Sequence, residues 1–426
     1  MRPRPEETPL AAAAVDEVDS SHSWVRLAVA VVLSSIGGVG MWSVVVALPA
    51  VQAEFGVARA DASLPYTLVM LGFAVGGVVM GRFADRRGII QPVVFGSIVM
   101  ALGYIASGYA TTLWQFALLH GVMIGLLGSS ATFAPLIADV SRWFLKRRGI
   151  AVTVCASGNY IAGFIWPRVI QHFIDTAGWR ATHIGIGLFC LATMLPLSLM
   201  LRRPAPPHDA AAGAPVQVRG QGGLGLSPRA LQWVLVFAGL ACCLAMSMPQ
   251  VHIVAYCGDL GYGVARGAEM LSLMLGFGIF SRVASGFIAD RVGGLATLLL
   301  GSALQGLALL LYLVFDGLWS LYVISALFGL FQGGIVPSYA IIVREYFAPN
   351  DAGTRVGLVL MATLFGMAIG GWLSGAIFDW TGSYAAAFAN GAAWNLLNVV
   401  IVGWLLYRAG GPWAVGRARR VAAAAS

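Results

Sequence analysis

The chain consists of long, uniformly apolar segments separated by short polar turns. Each segment is apolar on every face, whereas a surface helix of a soluble protein is apolar along one stripe. A membrane-spanning helix needs ~20 apolar residues, because lipid cannot hydrogen-bond an unpaired backbone. Strands of a membrane barrel would instead alternate over ~10 residues. The pattern predicts an all-α membrane protein with twelve transmembrane helices, near residues 24–52, 62–82, 90–110, 113–137, 149–172, 181–201, 231–257, 267–288, 294–315, 318–343, 354–378 and 384–408.

A charged motif of the form Gly-x-x-x-Asp-Arg-x-Gly occurs twice in the chain. Residues 81–88 read Gly-Arg-Phe-Ala-Asp-Arg-Arg-Gly, and residues 286–293 read Gly-Phe-Ile-Ala-Asp-Arg-Val-Gly. Each copy closes the second apolar segment of its half. A duplicated turn of this kind indicates an internal repeat, as found in membrane proteins that move solutes. We therefore predict two pseudo-symmetric six-helix bundles, at 24–201 and 231–408.

The segment between the two bundles has a different composition. Residues 202–230 contain closely spaced prolines and a glycine-rich run, which cannot bury a core, so we expect a flexible cytoplasmic linker. The start of the chain lacks the charged-then-apolar layout of a cleaved leader. Residues 1–23 and 409–426 are therefore predicted to be cytoplasmic tails.

The distribution of charged residues indicates how the chain is oriented in the membrane. Only 10% of the residues are charged, and 26 Lys and Arg against 18 Asp and Glu give a formal net charge of +8. Basic clusters at 86–87, 146–148, 202–203 and 417–420 fall on one side of the predicted topology, which places both termini in the cytoplasm. The positive charge therefore indicates orientation and no nucleic-acid partner. The excess of arginine over lysine and the abundance of alanine and glycine are typical of GC-rich bacteria, so we expect a bacterial inner membrane.

The sequence offers no constellation for catalysis or for a cofactor. It lacks the phosphate-binding pattern Gly-x-x-x-x-Gly-Lys-Ser/Thr, and its acidic residues lie near the ends of the predicted spans. The cysteines lie within predicted spans and show no metal-ligand spacing; they are Cys155, Cys190, Cys242, Cys243 and Cys257. We therefore expect neither an enzyme nor a metal or cofactor site.

At this point the chain resembles the major facilitator superfamily, the twelve-helix secondary transporters. The resemblance covers nearly all of residues 24–408 and rests on the 6+6 spans, the central linker and the repeated motif. It implies the major facilitator fold and a conformational latch, whose Asp contacts the N-terminal end of a neighbouring helix and nearby Arg residues and favours the outward-open state. The alternative is that these residues serve only as topology charges. The implied latch residues are Gly81, Asp85, Arg86, Gly88, Gly286, Asp290, Arg291 and Gly293.

Arg282 is the charged residue that lies deepest in the predicted eighth span. It precedes Asp290 by eight residues, so it lies ~12 Å deeper at 1.5 Å per residue. Charged residues at such depth are costly and face a cavity or a partner. The pattern Arg-x-x-x-Gly-x-x-Ala-Asp resembles the monocarboxylate transporter and oxalate/formate antiporter branches, and this implies that Arg282 pairs with a substrate carboxylate through its planar fork. The alternatives are snorkelling to the cytoplasmic face or bracing the latch.

Two positions depart from those branches. Monocarboxylate transporters carry an Asp four residues before the eighth-helix Arg, where this chain has Gly278. The oxalate/formate antiporter adds a Lys in the eleventh helix, whereas 354–378 contains none. The departures argue against proton coupling through that Asp and against a dicarboxylate held by two cations. We therefore expect a single anionic group.

Other polar residues within the spans are weaker substrate-binding candidates. Amide and hydroxyl groups at mid-span can hydrogen-bond a solute, and an imidazole titrates near neutral pH and can carry a proton. The alternative for each is a hydrogen-bonded packing residue. Besides Arg282, the candidates are Gln332, Tyr256, Asn159, Tyr160 and His252.

These observations predict a monomeric secondary transporter for a small organic anion, most simply a monocarboxylate. Two bundles rock around a midplane site, and transport is coupled to a proton or a counter-anion. The alternative is an efflux pump for drugs or other hydrophobic compounds. Such antiporters carry a Gly-Pro motif in the fifth helix, which residues 158–167 do not match.

Overall fold

The structure is a computed structural model that describes residues 18–203 and 224–410. Most of the predicted linker and both predicted tails therefore lie outside the described residues. The described chain is almost entirely helical, and its membrane-length stretches are Ser21–Phe55, Arg59–Arg87, Ile90–Gly108, Leu113–Trp143, Arg148–Leu199, Pro228–Asp259, Val264–Val292, Gly294–Val314, Leu318–Tyr346, Pro349–Thr381 and Tyr384–Arg408.

The longest stretch, Arg148–Leu199, consists of two spans. At 1.5 Å per residue its 52 residues would reach ~78 Å, against a hydrocarbon core of ~30 Å. The helix breaks at Gly178, where φ is 80° and ψ is 159°, a conformation that glycine adopts without a steric penalty. The fifth span is therefore 148–177 and the sixth 179–199, which confirms the predicted all-α architecture of twelve spans.

Helix irregularities occur where glycines bring backbones into contact. The fourth span is π-helical from Leu119 to Gly128 and then 3₁₀-helical from Ser129 to Thr132. A Cβ at Gly121 or Gly125 would press on the second span at Leu68 or Val69. Small residues permit this approach between membrane helices. These glycines pack the interior of the first bundle.

The two bundles, spans one to six and spans seven to twelve, touch mainly through two pairs of helices. The second span packs on the eleventh, and the fifth packs on the eighth. We name the two ends of the molecule by their residues. The motif end carries the loops at 81–88 and 286–293, and the Arg59 end carries the start of the second span and the ends of the seventh and eleventh spans.

The eleventh span shows that the bundles are joined at one end and apart at the other. A Cβ at Gly371 would lie 3.0 Å from the Tyr66 ring of the second span, and a Cβ at Gly375 would lie 3.0 Å from the Ala60 backbone. Gly357 lies on the same face as Gly375, about five turns away, yet it is exposed and faces open space. The space between the bundles therefore widens toward the motif end.

Candidate functional site

Tyr160 and Gly278 form the contact between the fifth and eighth spans at mid-depth. The Tyr160 ring lies directly over Gly278, where a Cβ would overlap ring carbons. Tyr160 is buried. Gly278 stands where monocarboxylate transporters carry Asp. The structure explains the glycine, because the Tyr160 ring of the opposite bundle fills the space that a side chain would need.

Arg282 lies one turn beyond Gly278 and its guanidinium covers the same ring. The guanidinium carbon is 4.4 Å from the centre of the Tyr160 ring, a cation–π arrangement. Its Nη1 donates a hydrogen bond of 3.1 Å to the carbonyl of Ala156, which also belongs to the fifth span. The Nε–H is buried and has no hydrogen-bond partner among the described residues. Arg282 is therefore held by two contacts across the bundle boundary and keeps one buried donor unpaired.

The depth of Arg282 places it near the centre of its span. The eighth span runs over Val264–Val292, so Arg282 lies four residues past the middle, or ~6 Å toward the motif end. The side chain is half-buried. It therefore lies between the bundles, close to the middle of its membrane-length helix.

Asn159 lies next to this contact and faces the first span. Its Oδ1 is buried without a hydrogen-bond partner among the described residues, and a Cβ at Gly38 would lie 3.1 Å from it. The Asn159 carbonyl accepts a 3.3 Å hydrogen bond from Trp42 Nε1. Gly38 is also where the first span breaks into two helices. The structure therefore places Tyr160 and Arg282 in contact at the bundle boundary, whereas the Asn159 side chain lies against the first span within its own bundle.

Gln332 and His252 lie elsewhere, inside the second bundle. Gln332 is fully buried, and its Oε1 accepts a 2.5 Å hydrogen bond from Gln250 Nε2. His252 is also fully buried, and its Nε2 is 2.8 Å from the carbonyl of Gly371, a pairing that makes Nε2 the donor. Both pairs connect helices of one bundle. Neither residue reaches open space in this conformation.

Tyr256 lies at the Arg59 end and lines a cavity of about 400 Å³. Asp259 and Asp316 line the same cavity. The position is acidic, which is unfavourable for an organic anion. Tyr256 therefore stays apart from Arg282 in this conformation.

The Arg59 end contains a network that joins the bundles and that the sequence did not reveal. Arg59 Nη2 lies 3.0 Å from Asp259 Oδ2, and Arg59 Nη1 donates a hydrogen bond to the hydroxyl of Tyr384. The backbone N–H groups of Arg59 and Ala60 donate to the two carboxylate oxygens of Asp379 at 2.9 and 2.7 Å. Asp259, Asp379 and Tyr384 belong to the second bundle. The Arg59 side chain and the N-terminus of the second span, both in the first bundle, are thus hydrogen-bonded to the second bundle.

Asp379 acts as a helix cap supplied by the opposite bundle. The second span begins after Ala58, whose side chain cannot accept a hydrogen bond. The first N–H groups of any helix lack partners within that helix. The Asp379 carboxylate satisfies two of them and also lies at the positive end of the helix dipole. Separation of the bundles at this end would expose those N–H groups to water.

The two copies of the motif lie at the opposite end, with their charged residues at the surface. Asp85, Arg86, Asp290 and Arg291 are exposed, and a Cβ at Gly81 would meet nothing within 4 Å. Gly88 and Gly293 terminate the second and eighth spans with φ of 79° and 89°. Gly286 also faces open space. Gly88 and Gly293 therefore end their helices, and the motif charges lie exposed at this end of the molecule.

A buried ion pair organises the motif end of the first bundle. Arg26 Nε donates to Asp139 Oδ2 at 2.7 Å, and both side chains are almost fully buried. The same guanidinium donates to the carbonyls of Leu201 and Arg203 and lies 4.6 Å from the Trp143 ring centre. The network links the first, fourth and sixth spans. Within 18–203 and 224–410, no three His, Cys, Asp or Glu side chains come together as ligands for a metal ion.

The fold and the match to a family profile together define the class of protein. A sequence profile of the Major Facilitator Superfamily matches residues 30–314 and 285–420. The chain therefore belongs to the Major Facilitator Superfamily. A solved structure of the nucleoside transporter NupG superposes with a TM-score of 0.70 over 90% of this chain and 99% of that chain, at 14% identity. At this identity the likeness shows the shared fold alone.

Within the family, the chain resembles the monocarboxylate transporters. Monocarboxylate transporter 13 of Rattus norvegicus is 29% identical over 346 residues, which are 79% of this chain and 76% of the relative. Efflux proteins are also among the relatives. Agnestins efflux protein AgnL12 of Paecilomyces divaricatus is 25% identical over 333 residues, covering 76% of this chain and 73% of the relative.

Proposed function

We propose that this protein is a secondary transporter of a small organic anion, and that the substrate is a monocarboxylate. The observation that carries the proposal is Arg282, a guanidinium at mid-span on the bundle boundary with a buried, unpaired Nε–H. A buried donor without a partner is unfavourable, and a carboxylate is the acceptor that a guanidinium binds best. The resemblance to monocarboxylate transporters supports the same class of substrate.

The neighbours of Arg282 favour one anionic group over two. The Tyr160 ring and the Ala156 carbonyl already occupy one face and one nitrogen of the guanidinium. The amide of Asn159, the residue before Tyr160, lies against the first span, and its Oδ1 is unpaired among the described residues. An amide can hydrogen-bond a hydroxyl or keto group next to a carboxylate, but it supplies no second positive charge. The site therefore suits a monocarboxylate with a small polar substituent.

We further propose that the structure represents the inward-open state. The bundles are tied at the Arg59 end and apart at the motif end, and the proposed orientation places the motif end and both termini in the cytoplasm. The N-cap of the eleventh span, Ala348, has no capping side chain. This supports a latch in which Asp85 binds that helix start in the outward-open state, as Asp379 binds the second span at the opposite end.

Net transport by alternation between the inward-open and outward-open states is driven by the concentration gradient of a coupled solute. Coupling is to a proton or to a counter-anion, and the cell membrane of a bacterium is the proposed location. The second candidate function is efflux of hydrophobic compounds, which the resemblance to an efflux protein supports. In that case Arg282 has no carboxylate to bind, and its substitution leaves transport intact.

The test is uptake into proteoliposomes that contain the full chain. Labelled mono- and dicarboxylates and a hydrophobic dye are offered with an imposed pH gradient, with an internal counter-anion, or with neither. We expect saturable monocarboxylate uptake that Arg282→Ala abolishes and Arg282→Lys reduces at least tenfold, because lysine keeps the charge but lacks the planar fork. The matched control is Arg168→Ala, an exposed arginine of the fifth span. Dye transport without carboxylate uptake, unaffected by Arg282→Ala, would contradict the proposal.

A further inference from the structure

The Arg59 side chain is a cation from one bundle that is bound in a site built by the other. Its guanidinium carbon lies 5.0 Å from the centre of the Phe378 ring and 5.7 Å from that of Tyr384. It also pairs with the Asp259 carboxylate and donates to the Tyr384 hydroxyl. Aromatic faces together with a carboxylate form a typical binding site for an organic cation. Arg59 is buried, so the site encloses it.

The site continues into the cavity of about 400 Å³ beside it. Asp259, Phe378 and Tyr384 line both the cavity and the Arg59 site, and Tyr256 and Asp316 also line the cavity. The volume is within the range of small-molecule pockets, about 300–1,000 Å³. Tyr256 is 8% exposed and lines this cavity, so its hydroxyl can meet a ligand there, as can the exposed carboxylate of Asp316.

All of these groups belong to the second bundle, whereas Arg59 belongs to the first. When the bundles separate at the Arg59 end, Arg59 leaves with its own bundle and the receiving groups stay behind. They then present an acidic, aromatic site to the solution without a resident cation. We propose that this part of the second bundle is a binding site for a guanidinium-type organic cation from solution, and that Arg59 occupies it whenever the Arg59 end is closed.

The proposal has opposite consequences for the wild type and for a variant without Arg59. In the wild type, a solute cation competes with Arg59 and holds this end open. In Arg59→Ala, closure would leave the partly exposed Asp259 carboxylate (42% of its side chain) without its guanidinium partner and the space between Phe378 and Tyr384 empty, which costs the closed state those contacts. A solute cation that fills the space removes this cost. The same compound therefore opens the wild type and closes Arg59→Ala.

Spin-label distances across the Arg59 end test this directly. Ala58→Cys and Thr381→Cys place one label on each bundle at exposed positions, and the native cysteines are buried. The full-length protein that carries these two labels is reconstituted into proteoliposomes. It is titrated with methylguanidinium or with urea, a neutral compound of similar shape. We expect methylguanidinium to change the ratio of long to short distances by about fivefold or more. The ratio rises in the wild type and falls in Arg59→Ala, and urea changes neither.

Asp259→Asn serves as the matched variant, because it keeps the side-chain size and removes the charge that binds the cation. We expect it to abolish the response to methylguanidinium in the presence of Arg59, a result that does not require Arg59→Ala to fold. Equal responses to urea and methylguanidinium, or an undiminished response in Asp259→Asn, would overturn the proposal. A shift in the same direction in the wild type and in Arg59→Ala would also overturn it. None of these measurements depends on the transported substrate.

Discussion

The cap that Asp379 places on the second span predicts how strongly one side chain stabilises the closed Arg59 end. The carboxylate accepts hydrogen bonds from the N–H groups of Arg59 and Ala60 at 2.9 and 2.7 Å. Asp379→Ala removes both acceptors and leaves the rest of the interface in place. In the open state these N–H groups bind water in both proteins. The substitution therefore acts on the closed state alone.

The magnitude follows from the chemistry of helix caps. Loss of a capping side chain costs about 0.5–2 kcal/mol, typically ~1 kcal/mol. Asp379 is exposed, so water competes for the N–H groups, and we expect a value near the middle of that range. A change of ~1 kcal/mol corresponds to a factor of about five in an equilibrium constant. Asp379→Ala should shift the ratio of open to closed molecules by about fivefold toward open.

The Ala58/Thr381 spin-label pair measures this ratio. Asp175→Ala is the control, because Asp175 lies at the same end but accepts its 2.8 Å hydrogen bond from Gln171 within its own bundle. We expect the control to match the wild type. Equal distance distributions for Asp379→Ala and the wild type would refute the reasoning, and so would an equal shift in Asp175→Ala.

Three further predictions address other parts of the molecule. Asp139→Asn should destabilise the protein by about 3–5 kcal/mol in thermal unfolding of the purified protein, because it removes the negative charge that pairs with the buried Arg26 guanidinium and leaves it only uncharged carbonyl acceptors; an unchanged midpoint would contradict this. Gly278→Ala should reduce uptake by displacing the Tyr160 ring, and combination with Tyr160→Ala should cost less than the sum of the two effects; additive losses would show that the two positions are independent. Ala58→Cys should react with an impermeant maleimide added to intact cells, as the proposed orientation requires; protection in intact cells with labelling after lysis would reverse that orientation.

The hydrophobic pattern was sufficient to predict the spans, because lipid imposes one length and one composition on every crossing helix. The repeated motif predicted two related bundles, because each copy marks an equivalent turn in its half of the chain. Arg282 was also singled out from sequence as a candidate, because a charge at mid-span is costly and needs a partner. Its partners Tyr160 and Ala156 belong to another span, and no periodicity in either segment predicts that contact.

The Arg59 network was missed because charged residues at span ends are ordinary. Arg59 and Asp379 look like topology charges when each is considered alone, and they lie in different halves of the chain. One signal was available. The predicted orientation leaves few basic residues on the outer side. An arginine there, such as Arg59, does not serve the topology and is therefore expected to pair with a specific group. The pairing itself is a property of the closed conformation, which local sequence does not encode.

Gln332 and His252 show that sequence cannot tell a polar residue that faces the substrate from one that packs inside a bundle. Both are polar residues within spans, which makes them candidates for substrate contact. The structure buries both inside the second bundle with partners of their own, Gln250 and the Gly371 carbonyl. Sequence gives the depth of such a residue, but which neighbour its helix face meets depends on how twelve helices pack.

The central claim is that Arg282 binds the carboxylate, and equilibrium binding tests it more directly than transport. Binding of the labelled monocarboxylate that the wild type takes up is measured on purified protein, with Arg282→Lys, Arg282→Ala and Arg168→Ala in parallel. A hydrogen bond to a charged group contributes about 1.5–3 kcal/mol, so Arg282→Ala should weaken binding by about 10- to 150-fold, with Arg168→Ala unchanged. Unchanged affinity in Arg282→Ala, with uptake still lost, would contradict the claim and make Arg282 a brace between the fifth and eighth spans.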